Sequence, residues 1–430
     1  MNKITRIRNL VWAAVVLGAG TNIHAQSTRL TLDECYALAR SHYPQTRKLE
    51  LVARSSGYAL SNAAKLYLPQ LSISGQASYQ SETMDFSEVL GEGAPPGIHF
   101  PEISKDQYKV QAEISQTIYD GGEISNRRAY IRADQAMRQQ QVEVSLYAVK
   151  ERVNQVYFSI LLMEEQLRQN EIRKADLQSA ADKTAAALDN GAAFRSDLNE
   201  LKAEIVNADM TGTTLRTGRS AYLRMLGILI GQALGDSTRL VKPEPPAPAR
   251  DIRRPELKGF ALQDNLYDVR EKQLGTAYLP RLSAFVQGAY GRPTLNIIDN
   301  NWGPWYIAGA RLSWNLSSLY SLKNNRRSLE VDRQNLAADK ATFLLNTGLS
   351  LEQEEGDIDK YRALVAEDRK AIALRSAVTQ SARAQLENGV ITTHEYIAQL
   401  NAEHMARQTL ILHNLQLLQA QYKLKHITGN

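Results

Sequence analysis

Ala64-Lys-Leu-Tyr-Leu-Pro-Gln-Leu-Ser72 recurs later in the chain as Thr276-Ala-Tyr-Leu-Pro-Arg-Leu-Ser283, with Leu68-Pro69 matching Leu279-Pro280 at an offset of 211. In both copies a helix-forming run is cut by a proline, which removes a backbone donor and clashes with the preceding turn. An alternating apolar and polar run follows each. Pro44 and Pro255 match at the same offset, whereas Tyr108 pairs with Tyr306 and Asn190-Gly191 with Asn388-Gly389 at 198, and Asn126-Arg-Arg128 with Asn325-Arg-Arg327 at 199. The first half therefore carries a longer insert, residues 81–106 against 291–304, and insertions concentrate in loops. Each half reads as helix, strand, loop, strand, very long helix, tight turn, helix.

The first repeat spans 26–232, with strands at about 70–80 and 107–118, a long helix at about 123–189, a turn at 190–193 and a helix at about 194–230. The second spans 255–430, with strands at about 282–290 and 305–316, a long helix at about 319–387, a turn at 388–392 and a helix at about 393–427. Residues 233–254 join them. Lys242-Pro-Glu-Pro-Pro-Ala-Pro-Ala-Arg250 holds four of the thirteen prolines and marks a connector rather than an element.

The long helices carry a seam. Val142, Leu146, Val149, Val153, Val156, Ile160, Met163 and Leu167 alternate in steps of four and three, the 3.5-residue period of a left-handed coiled coil. Leu329, Leu336 and Phe343 repeat it, as do Ile411, Leu415, Leu418 and Tyr422. Neither Gly nor Pro occurs from Glu123 to Asn190. A helix over 123–189 is about 100 Å long at ~1.5 Å per residue and must pack along others of similar reach. Gly348 and Gly356 make the second long helix the less regular one.

In the strand segments, Leu71, Ile73, Gly75, Ala77 and Tyr79 alternate with Ser72, Ser74, Gln76, Ser78 and Gln80, and Tyr108, Val110, Ala112 and Ile114 alternate with polar neighbours. Transmembrane barrel strands have this length and two-faced pattern, apolar toward outer-membrane lipid and polar toward water. Phe285 and Ile307 interrupt the polar face of the second pair. Trp302, Trp305 and Trp314, with Tyr67, Tyr79, Tyr278, Tyr290 and Tyr306, gather at or near strand ends, where membrane-interface aromatic girdles lie. Four strands cannot close a barrel alone. Two chains give eight strands and three give twelve, both even-numbered barrels.

Residues 1–25 combine Lys3, Arg6 and Arg8, an apolar stretch around Leu10 to Leu17 and a cleavage-like Ile23-His24-Ala25, the pattern of a secretory signal peptide. Its removal takes three positive charges and no acidic ones from a net +5, leaving +2, and no basic cluster with interleaved aromatics points to nucleic acid. Cys35 is the sole cysteine and sits among apolar helix residues, so a packed thiol is expected, with no disulfide within the chain and no Cys/His metal site. The histidines form no HExxH or HxH arrangement, and His404 and His413 lie in a helical pattern with a packing role. Asp120-Gly-Gly-Glu123 lacks the Lys-Ser/Thr of a phosphate loop. No enzyme, metal or cofactor is inferred.

Taken in order, Leu30-Thr-Leu-Asp-Glu-Cys-Tyr-Ala-Leu-Ala39, Leu68-Pro-Gln-Leu71 with its copy Leu279-Pro-Arg-Leu282, and Ser115-Gln-Thr-Ile-Tyr-Asp-Gly-Gly122 leading into Asn126-Arg-Arg128 resemble TolC-type outer-membrane efflux proteins over nearly the whole chain. The resemblance implies an α+β membrane protein that forms a homotrimer: a twelve-stranded outer-membrane barrel, four strands per chain, with a periplasmic tunnel of coiled-coil helices and an equatorial connector. It implies periplasmic adaptor (membrane fusion) proteins and an inner-membrane pump of RND or ABC type as partners. The chain is then the passive exit duct of a tripartite efflux system or the outer-membrane component of type I protein secretion. A periplasmic coiled-coil scaffold without a pore is the rival of another class. The second copy departs from the family pattern at Trp314-Asn-Leu-Ser-Ser-Leu-Tyr320, which lacks the glycines, so a different junction geometry is expected there.

Asn190-Gly191 and Asn388-Gly389 suit the left-handed conformation at a helix end. In the family the matching turns form the periplasmic tip that adaptors contact. Six residues after each glycine stands an acid, Asp197 or Glu395, with Glu200 a turn beyond the first. Acids in a first turn cap the helix and oppose its dipole. Repeated around a narrow aperture, the same carboxylates make a cation-attracting gate ring. The family pattern has a second acid in the second half where Ala398 stands here.

Overall fold

The computed structural model describes residues 29–83, 103–296 and 300–430. The leader reading at 1–25 and most of the first insert lie outside them. The elements are β1 (Arg29–Leu30), α1 (Leu32–His42), α2 (Arg47–Lys65), β2 (Gln70–Tyr79), β3 (Asp106–Tyr119), α3 (Glu123–Asp189) and α4 (Arg195–Ile230). After these come β4 (Arg239–Leu240), α5 (Pro255–Thr276), β5 (Arg281–Arg292), β6 (Gly303–Ser313), α6 (Ser318–Glu387) and α7 (Thr393–Thr428). Two compact units result. Among the described residues, one lies within Met1–Tyr43, Ala148–Ala249 and Glu352–His426 and the other within Pro44–Tyr147, Arg250–Leu351 and Ile427–Asn430, so each draws on both repeats.

The first unit is helical, and the coiled-coil seam is its core. Val149, Val153, Val156 and Ile160 of α3 are buried with Cys35 and Ala39 of α1, Leu223 and Leu226 of α4, and Leu415 and Leu418 of α7. Each fully buried side chain of this size contributes about 1.5–3 kcal/mol. Cys35 is the packed thiol expected, and burial pushes it up to about 12. The proline-rich connector is not wholly free of elements. Its residues Arg239 and Leu240 pair in parallel with Arg29 and Leu30, and the Tyr157 hydroxyl donates to the carbonyls of both Leu30 and Val241, at 2.9 and 2.6 Å. A two-residue ladder has no periodicity to read.

The second unit holds the sheet. Its four antiparallel strands run in the order β2-β3-β5-β6, so the hairpin of one repeat lies beside that of the other and β2 and β6 are left as edges. Strand and helix meet by different chemistry in the two repeats. After β3, Gly121 and Gly122 take φ of 66° and 84°, while Asp120 accepts from the amides of Gly122 and Ile124, both at 2.8 Å, and caps α3. After β6 no glycine is present; Asn315 accepts from the amide of Ser317 at 3.2 Å, and the Ser318 hydroxyl bonds the Ala277 carbonyl at 3.2 Å. α6 then runs unbroken past Gly348 and Gly356.

Candidate functional site: an apolar sheet face and paired helical tips

Register fixes the two faces of the sheet. Leu71, Ile114, Val286 and Ala308 share one row, and Ile73, Ala112, Gly288 and Tyr306 the next. Leu71 is 66% exposed and Ile73 72%. A contiguous exposed apolar face of this extent is unsuited to water and suited to lipid. On the opposite face Gln287 bonds Gln111 at 2.8 Å and Arg311 pairs with Glu113 at 3.1 Å. Phe285 and Ile307 do fall on this polar side, and the Arg311 guanidinium covers the Phe285 ring at 4.5 Å.

The aromatic residues divide between the ends of the sheet. At the loop end Trp302 stacks between Tyr108 and Tyr290, with ring centroids 5.8 and 5.9 Å apart, and exposed Tyr79 and Tyr306 lie in neighbouring rows. At the helix end stand Tyr67, Tyr278 and Trp314, whose indole N–H donates to the Tyr278 carbonyl at 2.8 Å. From Leu282 to Tyr290 is about 27 Å at ~3.4 Å per residue, the height of an outer-membrane apolar band. Trp305 differs from its group. It pairs with Ala289 in the row of Gln111 and Ser74, on the polar face, because neighbouring strand residues point oppositely and Tyr306 takes the apolar side.

The two turns in the helical unit are built alike. Gly191 and Gly389 take φ of 73° and 71°, the amides of Ala192 and Val390 return to the carbonyls of Ala187 and Gln385 at 2.8 Å, and the amides of Asn190 and Asn388 side chains bond the carbonyls of Ala186 and Ala384 at 2.8 Å. Helix ends sealed this way leave few orphan carbonyls. Asp197 accepts from the Phe194 amide at 3.1 Å, and Glu395 accepts from the Thr392 amide at 2.8 Å while the Thr392 hydroxyl accepts from the Glu395 amide at 3.2 Å. Both acids thus cap, and these bonds hold Glu395 below the usual carboxylate range. Glu200 does otherwise. Its carboxylate lies 2.7 Å from His394 Nδ1, which raises the histidine's proton affinity.

Further pairs tie the hairpin of the first repeat to that of the second: Lys183 to Glu387 at 2.5 Å, Arg383 to Asp176 at 3.2 Å, and Arg173 to Asn401 at 2.7 Å while also holding Glu204 at 2.7 Å. The space between the turns, about 600 Å³, is lined by Lys183, Phe194, Asp197, Arg383, Glu387 and Tyr396 among others. Of the residues that line it, the sequence singles out Asp197, Asn388 and Gly389. Partners some 200 positions apart carry no local spacing signal; only the repeat, which sets one tip beside its copy, hints that they meet. Among the described residues no cluster of metal-ligating side chains occurs.

Residues 36–232 match the family model described as outer membrane efflux protein. None of the curated proteins compared with the chain matches it in sequence. Among solved structures, CusC, whose crystal structures concern folding and transmembrane channel formation, is 14% identical with a TM-score of 0.66 over 93% of this chain and 92% of its own. The outer membrane protein VceC of Vibrio cholerae is 11% identical with a TM-score of 0.64, over 93% and 96%. The MtrE outer membrane channel of Neisseria gonorrhoeae, in its open state, is 12% identical with a TM-score of 0.63, over 93% and 89%. Through its first repeat the chain thus matches the outer membrane efflux protein family, and over 93% of its length it shares the fold of these solved outer-membrane channels.

Proposed function

We propose that this chain is the outer-membrane exit duct of a tripartite efflux system, a homotrimer that passively conducts cargo delivered by a periplasmic adaptor and an inner-membrane pump of RND or ABC type. The observation that carries the reading is the four-stranded sheet with an exposed apolar face and two open edges. Hydrocarbon tolerates no unpaired strand edge, so β6 of one copy must pair with β2 of the next until the sheet closes. Three copies give twelve strands.

Within that duct the turns at Asn190-Gly191 and Asn388-Gly389 are the adaptor-facing tips. Asp197, Glu200 and Glu395 supply the charge of the periplasmic aperture, Asp197 and Glu395 while capping their helices and Glu200 through its link to His394. A carboxylate that caps a helix keeps its charge, so symmetry about a threefold axis still makes a ring that attracts cations.

Planar-bilayer conductance of detergent-extracted protein, with size analysis on the same sample, tests both levels. A conducting trimer whose cation selectivity falls in the combined Asp197→Ala, Glu200→Ala, Glu395→Ala variant is the expected result. A soluble, non-conducting species overturns the duct; a conducting trimer indifferent to the substitutions removes the acids from the aperture and leaves the duct standing.

A further inference from the structure

At each of the four junctions between the four-stranded sheet and a helix, an aromatic residue is followed, away from the sheet, by a basic one. Lys65 ends α2 just before Tyr67, and Lys272 lies in α5 shortly before Tyr278. On the outgoing side Tyr119 ends β3 and Arg127 follows in the second turn of α3. The pattern is fullest after β6, where Trp314 precedes Tyr320, Lys323, Arg326 and Arg327.

Helical geometry puts Tyr320, Lys323 and Arg327 of α6 on one stripe, at i, i+3 and i+7. Tyr320 is 88% exposed and all three basic residues are exposed. Their charges are not used internally. Among the described residues no carboxylate pairs with Lys323, Arg326 or Arg327, although the nearby acids are engaged: Glu123 with Arg281 at 2.6 Å, Glu271 with Arg333 at 3.4 Å, and Asp120 in capping α3. The first acid along α6 is Glu330. A chain whose net charge is only +5 over 430 residues thus concentrates unpaired positive charge in one place.

That place has a definite depth. Lys323 and Arg327 lie about 8 and 14 Å along α6 from its start at ~1.5 Å per residue. The headgroup region on one side of a bilayer is about 5–8 Å thick, and long basic side chains reach back toward it while their stems cover apolar surface. Exposed apolar side chains, then aromatic rings, then basic groups reproduce the order of hydrocarbon, interface and headgroup.

We infer that the stripe Tyr320–Lys323–Arg327, with Arg326 beside it, binds the headgroups of anionic phospholipid in the membrane leaflet on the helix side of the sheet. The inference rests on the reading of the sheet as a membrane-spanning one. It adds a preference for lipid charge that spanning alone does not require. A neighbouring copy's carboxylates and free phosphate are the competing occupants, and the charge is better matched to a lipid surface because the stripe continues the aromatic girdle without a break.

The test uses Trp314 as reporter in a Trp302→Phe, Trp305→Phe background, with the full mature chain reconstituted in vesicles of phosphatidylcholine containing brominated phosphatidylglycerol or brominated phosphatidylcholine. Quenching should show phosphatidylglycerol preferred by about fivefold, the factor expected of one well-placed basic residue near a membrane surface. Lys323→Gln, Arg326→Gln, Arg327→Gln should bring the ratio to about one without loss of the trimer. A ratio near one with the basic residues intact overturns the inference, as does a preference that the substitutions leave unchanged. Competition by millimolar inorganic phosphate overturns it in favour of a soluble-phosphate site. Failure of brominated phosphatidylcholine to quench Trp314 at all instead overturns the membrane-spanning reading beneath it.

Discussion

Glu200 of α4 and His394 of α7 meet at 2.7 Å, so the one tip residue able to change charge near neutral pH joins the hairpin of the first repeat to that of the second. The carboxylate raises the histidine's proton affinity above its ordinary value of 6.5, with the neighbouring Glu395 adding in the same direction. The charged pair is therefore fully formed below pH 6.5 and is lost as pH rises through the raised value. Single-channel conductance should accordingly increase with pH through and above neutrality in the wild type. His394→Gln, neutral throughout, should be flat over the same range; equal pH profiles for the two proteins would remove the pair from control of the tip.

Thr392→Ala tests the cap of α7 separately from charge. The substitution removes the hydroxyl that accepts from the Glu395 amide at 3.2 Å and donates to the Glu395 carboxylate at 3.0 Å. Loss of such a cap costs about 1 kcal/mol, so amide exchange in the first turn of α7 should accelerate about fivefold. The first turn of α4, capped independently at Phe194 and Asp197, should exchange as in the wild type.

Gly291→Ala tests the pairing of the two repeats in the sheet. A Cβ there would collide with the Tyr108 carbonyl oxygen and lie 2.9 Å from Lys109 Cα, both backbone atoms of the paired strand. β3 and β5 must move apart, at a cost of about 1–3 kcal/mol. Gly288→Ala, three residues along the same strand, meets nothing within 4 Å. Heat-modifiable mobility of the trimer in detergent should drop in temperature for the first variant and stay unchanged for the second.

These residues mark how far sequence alone reaches. The seam through Val149, Val153 and Ile160 was legible because burial repeats every three to four positions, and β2 and β3 because apolar side chains repeat every two. Nearness to a strand end groups Trp305 with its neighbours, whereas parity along the strand decides its face. The tip acids carried both readings, and the capping bonds of Asp197 and Glu395 are local enough to be expected from a first-turn position. Glu200 with His394, Lys183 with Glu387 and Arg383 with Asp176 were not legible, since each pair is assembled by packing between repeats and leaves no spacing in either.

Tyr157→Phe tests the short ladder that sequence missed. A hydroxyl has one proton, and that of Tyr157 is shared between the Leu30 and Val241 carbonyls that flank the β1–β4 pair. The ring is fully buried, and burial pushes the phenol well above its ordinary value, so the bond persists through mildly alkaline solution. Removing the oxygen takes the hydroxyl donor from the Val241 carbonyl, while the Leu30 carbonyl keeps the Val241 amide at 3.0 Å, and the loss costs about 1–3 kcal/mol. Denaturant unfolding should register that loss equally at pH 6 and pH 9, in contrast to the pH-dependent pair at the tip. Tyr422→Phe removes only a partly exposed bond to the Glu244 carbonyl at 3.0 Å and should cost less, because water replaces the missing donor. A Tyr157→Phe protein as stable as the wild type, with unaltered amide exchange at Leu240 and Val241, would mean that apolar packing holds the connector in place and the hydroxyl does not.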